Sequence, residues 1–397
     1  MRRLLFVDDE VPILRALERM LRAHRRDWEC QFVDDPVRAL DLVDTFQPDA
    51  VVSDMLMPGL DGAEFLTEAA RRRPHMARFI LSGEVGAGSL VRMARAAHQC
   101  LAKPCRGDVL IEVLRRALFD PAAVHEPAIL AGLYALRSLP VPAPRFEVVR
   151  RLVGGPASEQ RDHDAVALIA GTVGMATKLL QVATWTRLGM GAPPLHVHDA
   201  YFQLGPSAVC ALLDSDLLKP VPGADTTAFQ QATWRRSERA SAAARVMAAA
   251  EGLGSDEARQ VALVTLWSAA APLLPDLCAR VAYETLREDA ARHGRPLAEL
   301  ERERFGVTAT EMCAQMLRLW GLSADLADRV ARTAAPLDPD ATTPRDVLPH
   351  AAAAVVDGLD GHDVPATVAA PLATLGLTGR LPHWRALASG VLHPVAA

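Results

Sequence analysis

The segment Ala50-Val51-Val52-Ser53-Asp54, followed by Met55-Leu56-Met57-Pro58-Gly59, sets the terms for the first third of the chain. A Val-rich apolar run that stops at a carboxylate and then a Pro-Gly turn fits a strand buried on both faces. Such a strand delivers Asp54 to the carboxyl edge of a parallel sheet, where open α/β sheets place their ligand sites. Three other stretches put polar groups at strand ends in the same manner: Asp8-Asp9-Glu10, Ser82-Gly83 and Lys103-Pro104.

The alternation around them is regular. Short apolar runs at residues 4–7, 30–33, 50–53, 78–81 and 100–102 read as strands. Helical spacing follows each one: from Pro12 with Ile13, Leu14, Leu17, Met20 and Leu21, then over 36–46, 62–73, 88–97 and 108–118. Five βα units predict a five-stranded, parallel, doubly wound sheet of the flavodoxin-like kind.

The residue types at the strand ends suggest a chemistry. A phosphoryl group arriving on Asp54 would crowd negative charge beside other carboxylates, which a divalent cation makes tolerable. Oxygen ligands from Asp9, Asp54 and the Leu56 carbonyl suit Mg²⁺, with Asp8 acting through water. Lys103 supplies positive charge for phosphoryl oxygens, and the Ser82 hydroxyl a donor that can move towards them. Lys103-Pro104 is a candidate cis peptide bond.

These residues, in this order and spacing, resemble a response-regulator receiver domain over residues 1–120. The resemblance implies that Asp8-Asp9 is the metal-binding acid pair and Asp54 the phosphoacceptor. It also implies that Ser82 and Lys103 are the switch hydroxyl and the phosphoryl-contacting lysine. A sensor histidine kinase is the implied phosphodonor. One position departs from the pattern: Cys100 stands where receivers carry a switch Tyr or Phe, so the signal must leave by a modified route. Leu56 and Glu84, flanking the acceptor, are expected to tune how long a phosphoryl group lasts.

Residues 121–127, with Pro121, read as a linker. Beyond them strands vanish and amphipathic segments follow one another at 128–136, 145–152, 163–169, 175–184, 206–213, 240–251, 256–271, 275–291, 309–319 and 323–333. The expectation is an all-α unit over 128–340, then a C-terminal helix at 347–357 and a Pro/Gly-punctuated tail, over 341–397, packed on it. Leu136-Arg137-Ser138-Leu139-Pro140, the helical stretch 166–184 and the segment from His198 to Leu204-Gly205 resemble an HDOD domain. That family is the non-enzymatic relative of the metal-dependent HD phosphohydrolases.

HD metal chemistry needs histidines and a His-Asp pair gathered from several helices. The corresponding positions here hold Arg236, Trp267 and Ser268, Ala309, Thr333 and Ala334. None supplies an imidazole, and no metal is expected in this domain. The remaining candidates, His163, His196, His198 and His293 with Asp162, Asp164 and Asp199, lie away from those helices. His163 sits at a helix start, where the neighbouring acids are explained by capping and the dipole.

The chain's 397 residues and 50% hydrophobic content suit two or three soluble domains. Six scattered cysteines without CxxC spacing fit reduced core thiols in a cytoplasmic protein. No apolar run is read as a membrane span, and Met1-Arg2-Arg3 with its apolar run resembles a signal peptide only until Asp8-Asp9. A net charge of −5 and the lack of a basic recognition helix argue against DNA binding. The expected function is a two-component response regulator that signals through contacts with an unidentified downstream protein. The alternative is an HD-type cyclic-dinucleotide phosphodiesterase, disfavoured by the missing ligands. A homodimer contact through the C-terminal leucines is left open.

Overall fold

The computed structural model describes residues 1–83, 87–118, 123–186, 193–218, 220, 226–334, 343–361, 366–374 and 376–392. The first third alternates β1 (Arg2–Val7), α1 (Val11–Leu21), β2 (Trp28–Val33), α2 (Pro36–Thr45), β3 (Ala50–Asp54), α3 (Gly62–Arg72), β4 (Ala77–Ser82), α4 (Ala87–Ala96), β5 (Gln99–Ala102) and α5 (Gly107–Ala117). All strands run parallel, in the order β2-β1-β3-β4-β5. The central strand β3 is buried at every residue, as its unbroken apolar run requires. Asp35 caps α2 and an Asp61/Glu64 capping box opens α3, so the helices start where the apolar runs yield to acids.

The rest is helical: α6 (Pro127–Ala135), α7 (Ala143–Gly154), α8 (Glu159–Ala170), α9 (Val173–Thr186), α10 (Val197–Leu204), α11 (Pro206–Asp214), α12 (Ala228–Ala250), α13 (Ser255–Ala270), α14 (Leu273–His293), α15 (Leu297–Phe305), α16 (Ala309–Leu319), α17 (Ala324–Arg332), α18 (Pro344–Leu359), α19 (Ala366–Thr374) and α20 (Leu381–Leu392). Three differences from the sequence reading have physical causes. Helix α12 starts at Ala228 rather than near 240, because a Thr227/Gln230 capping box opens it and its polar first turns find partners in the fold. The stretch read as a tail forms α19 and α20, whose Val368, Leu372, Trp384 and Ala388 enter a second core with Ala240, Ala244, Met247 and Val355. The stretch Ser255–His293 has the length and hydropathy of a membrane span, contrary to the reading of no such run. However, 78% of its apolar window is buried inside the bundle, which accounts for its composition.

The two halves share one continuous core. Strand β5 is a sheet edge, and an uncovered edge exposes unpaired backbone groups. Here the helical bundle covers it. Gln99 Nε2 donates to the Arg318 and Leu319 carbonyls at the end of α16, at 2.9 and 3.2 Å. Gln181 Nε2 on α9 donates to the His98 carbonyl at 2.8 Å, and Gln315 Nε2 to the Arg116 carbonyl at 2.7 Å. An Arg95–Asp216 ion pair at 2.6 Å joins α4 to the segment after α11. The bundle therefore grips the face formed by α4, β5 and α5.

Candidate functional site

Strand β1 ends beside Asp8 and β3 ends at Asp54; the two strands are direct neighbours, so their carboxylates meet at one sheet edge. Both side chains are nearly closed to solvent. Lys103, just beyond β5, spans them: its Nζ donates to Asp8 Oδ2 at 2.7 Å and pairs with Asp54 Oδ1. The other oxygens are held by the backbone, Asp8 Oδ1 by the Glu10 N–H at 3.0 Å and Asp54 Oδ2 by the Leu56 N–H at 2.8 Å. Ser82 is buried at the end of β4, beside Ala102 in the register, and its carbonyl accepts the Lys103 N–H at 2.8 Å. The Lys103-Pro104 bond is cis.

Burial raises the pKa of Asp8, and the Lys103 hydrogen bond offsets that only in part. Burial also opposes the charge on Lys103, yet the Asp54 and Asp8 carboxylates outweigh it and raise its pKa. Replacing Lys103 with Ala leaves two buried carboxylates facing each other. We expect a loss of about 2 kcal/mol in urea unfolding, below the usual cost of breaking a buried pair because Lys103 is 19% exposed. Added Mg²⁺ should restore part of it.

The oxygen-only donor set fits a hard divalent cation: Asp8 and Asp54 share one ammonium, and the exposed Asp9 adjoins them. Leu56 turns its side chain outward, 79% exposed. Glu84 lies outside the described residues. Cys100 is buried within β5, and burial pushes its thiol up to about 12.

One requirement went unnoticed in the sequence. A Cβ on Gly62 would sit 2.0 Å from the Asp54 carbonyl oxygen, so the start of α3 packs directly on the acceptor's backbone. Only the bare Cα fits. Gly62→Ala should cost about 1–3 kcal/mol and slow phosphorylation by displacing Asp54, measurable by urea unfolding and by labelling with acetyl phosphate.

The HD-equivalent positions are occupied by other interactions. Arg236 forms a bidentate pair with Asp357 on α18, both contacts at 2.7 Å. Trp267 is fully buried, and its indole N–H donates to Thr177 Oγ1 at 2.9 Å. Thr333 Oγ1 donates to Ser268 Oγ at 2.9 Å. Ala309 is buried at the start of α16, its N–H bonded to Glu301 Oε2 at 2.8 Å, and Ala334 follows α17 in a turn. Of the scattered histidines, His163 and His198 come together with ring centroids 6.3 Å apart, while His293 back-bonds to the Asp289 carbonyl at 3.0 Å. His196 lies 3.8 Å from Asp256. Among the described residues, no three or more His, Cys, Asp or Glu side chains are gathered into a metal cluster by themselves; in the receiver, the backbone carbonyl of Leu56 and water would have to complete the set around Asp8, Asp9 and Asp54.

Comparison with known proteins agrees with this layout. The response regulator receiver domain model matches residues 4–115, and the HDOD domain model residues 139–336. A protein-glutamate methylesterase/protein-glutamine glutaminase of Anaeromyxobacter dehalogenans is 32% identical over 145 residues, covering 35% of this chain and 41% of that protein. Its counterpart in Escherichia coli K12 is 29% identical over 137 residues, covering 32% of this chain and 39% of its own. The chain thus spans about two-fifths of the length of the curated relatives it matches. Among solved structures, the signal receiver domain of an HD domain-containing protein from Pseudomonas fluorescens Pf-5 is 25% identical. It covers 29% of this chain and 93% of that one, with a TM-score of 0.28. The MmoQ response regulator of Methylococcus capsulatus covers 63% of this chain and 98% of its own at 21% identity, with a TM-score of 0.48. The chain is a response regulator in which a receiver domain is followed by an HDOD domain.

Proposed function

We propose that a histidine kinase phosphorylates Asp54 and that the HDOD domain passes the signal on by protein contact, without catalysis of its own. In the transfer, an Asp54 carboxylate oxygen forms the new O–P bond as the donor's N–P bond breaks. Lys103 pairs with the phosphoryl oxygens as they arrive, and the Ser82 hydroxyl turns towards them. Mg²⁺ held by Asp9, Asp54 and the Leu56 carbonyl, with Asp8 through water, would neutralise the added charge. We assign the lifetime of the phosphoryl group to Leu56 and Glu84, which follow the acceptor Asp54 and the switch serine Ser82 by two positions each in the sequence.

The observation that carries the reading is the placement of β5. Its end continues into Lys103, which touches the acceptor, while Gln99 at its start is bonded to α16. Four residues separate the chemistry from the output domain, and Cys100 lies between in place of the switch aromatic. A shift of Lys103 towards phosphoryl oxygens therefore acts on the gripped strand directly. A non-catalytic HDOD domain is supported by the engaged Arg236, Trp267, Ser268 and Thr333, none of which is an imidazole.

The test is a pair of assays on the full chain. Acetyl phosphate with Mg²⁺ should label Asp54, located by borohydride reduction and peptide mapping. Purified protein loaded with Mn²⁺ should leave cyclic dinucleotides intact; their hydrolysis would revive the phosphodiesterase.

A further inference from the structure

The junction between the two domains gathers basic side chains on which, among the described residues, no carboxylate bears. From the receiver come Arg78 on β4, 2% exposed, and His98 just before β5, also 2% exposed. From the bundle come Lys178 on α9, 1% exposed, and the exposed Arg137 after α6. Lys178 Nζ donates to Gln181 Oε1 at 2.6 Å and to the Arg137 carbonyl, and lies 5.3 Å from the centre of the Trp320 ring. Gln181 in turn donates to the His98 carbonyl across the junction. The charged groups bearing on Lys178 and His98 are Arg78, Arg137 and each other; among the described residues no carboxylate does so.

The geometry fixes His98 as neutral. Its Nδ1 accepts the Arg78 backbone N–H at 3.0 Å, so it carries no proton. Nε2 carries the ring's proton and donates to the Tyr134 carbonyl on α6 at 2.9 Å, with Arg78 Nη2, which shares that carbonyl at 3.3 Å, 3.1 Å from Nε2. A protonated ring would point N–H against N–H. Lys178 is unusual in another way. The chain has 43 Lys and Arg residues, and only Lys103, Lys178 and Lys219 are lysines. A lysine, unlike an arginine, can shed its proton near neutrality when buried.

We propose that docking of the receiver on the HDOD bundle is proton-linked through Lys178, which releases a proton to solvent when the interface closes and regains one when it opens. Burial, with Arg137 adding to it, lowers the docked amine from its ordinary 10.5 to about 7. Between about pH 7 and 10 the open form then binds more protons, so docking strengthens as pH rises through that window and has lost this support by pH 7. Burial, with Arg78 next, holds His98 well below its ordinary value. Acidification below about pH 6.5 therefore weakens docking further, in the same direction. One linked proton changes the docking constant by at most about tenfold per pH unit. The proposal rests on the junction, not on Asp54 chemistry, and is testable in an Asp54→Asn background.

With so few lysines, ¹³C-lysine NMR of the full chain resolves each amine. One signal, missing from Lys178→Met, should titrate near pH 7. Hydrogen exchange of residues 96–103, corrected for intrinsic rates, should lose up to about tenfold protection per unit between pH 8.5 and 7. That loss should vanish in Lys178→Met, and Lys178→Arg should be poorly protected throughout. The proposal is overturned if all three lysines remain protonated above pH 9, or if wild-type protection is level across that range. A Lys178→Met chain that keeps the full pH dependence overturns it too. Should Lys178→Met fail to fold, the wild-type lysine titration and exchange profile decide alone.

Discussion

Asp54→Asn is expected to abolish phosphoryl incorporation from acetyl phosphate, by at least about a hundredfold, while leaving the fold intact. Asp8 also touches Lys103, so the choice of acceptor needs an argument. Asp8 has one oxygen on the Glu10 N–H and the other on Lys103, with its side chain 2% exposed. Asp54 is the more accessible, at 9%, and stands at the end of the central strand. Asn keeps an oxygen for the Leu56 N–H, and Lys103 keeps Asp8 as its partner. The stability change should stay within about 1 kcal/mol, because no buried charge is orphaned. Phosphorylation that persists in the variant, traced by peptide mapping to Asp8 or Asp9, would move the acceptor.

Gln99→Leu should have the largest effect on the junction. The Gln99 amide donates to two carbonyls at the end of α16, Arg318 and Leu319; the Arg318 carbonyl also accepts the Gly321 N–H at 3.1 Å, so Leu319 is the one that depends on Gln99. Leucine matches the volume roughly but leaves the Leu319 carbonyl against an apolar side chain, while the Arg318 carbonyl keeps the Gly321 N–H. An unsatisfied buried group costs about 1–3 kcal/mol, so docking should weaken by about that much. Gly321 already sits against Gln99: a Cβ there would lie 2.6 Å from Gln99 Cγ, so the pocket has no room for rearrangement. Hydrogen exchange over residues 315–322 should rise in the variant, with far-UV circular dichroism unchanged. Protection equal to wild type would mean that Gln99 does not hold the domains together.

The receiver was legible because its chemistry interrupts its pattern. Asp8, Asp54 and Lys103 each end an apolar run, and a polar residue at a buried strand's end has few structural explanations. Gly62 was invisible because its constraint is a contact with the Asp54 carbonyl, which no spacing reveals. The junction was also hidden. Gln99, Gln181 and Gln315 bond backbone carbonyls of remote elements, and a glutamine in sequence looks like any surface glutamine. Lys178 reads as one polar residue on a helix; its burial, beside the Gln181 that bonds the His98 carbonyl, shows only in the fold. The helix read at 347–357 is α18, but α19 and α20 leave little trace in the sequence because Pro and Gly punctuate them, and the core they join is built largely of alanine, which marks no clear face.

The most direct measurement is hydrogen exchange of the full chain with and without Mg²⁺ and beryllofluoride, which mimics the aspartyl phosphate. If Asp54 speaks to the HDOD domain through β5, protection should change in residues 98–103 and, together with them, in the facing segments 175–183 and 315–322. Asp54→Asn should show none of these changes. A change confined to the residues around Asp54 and Lys103, with α9 and α16 unaltered, would contradict the account.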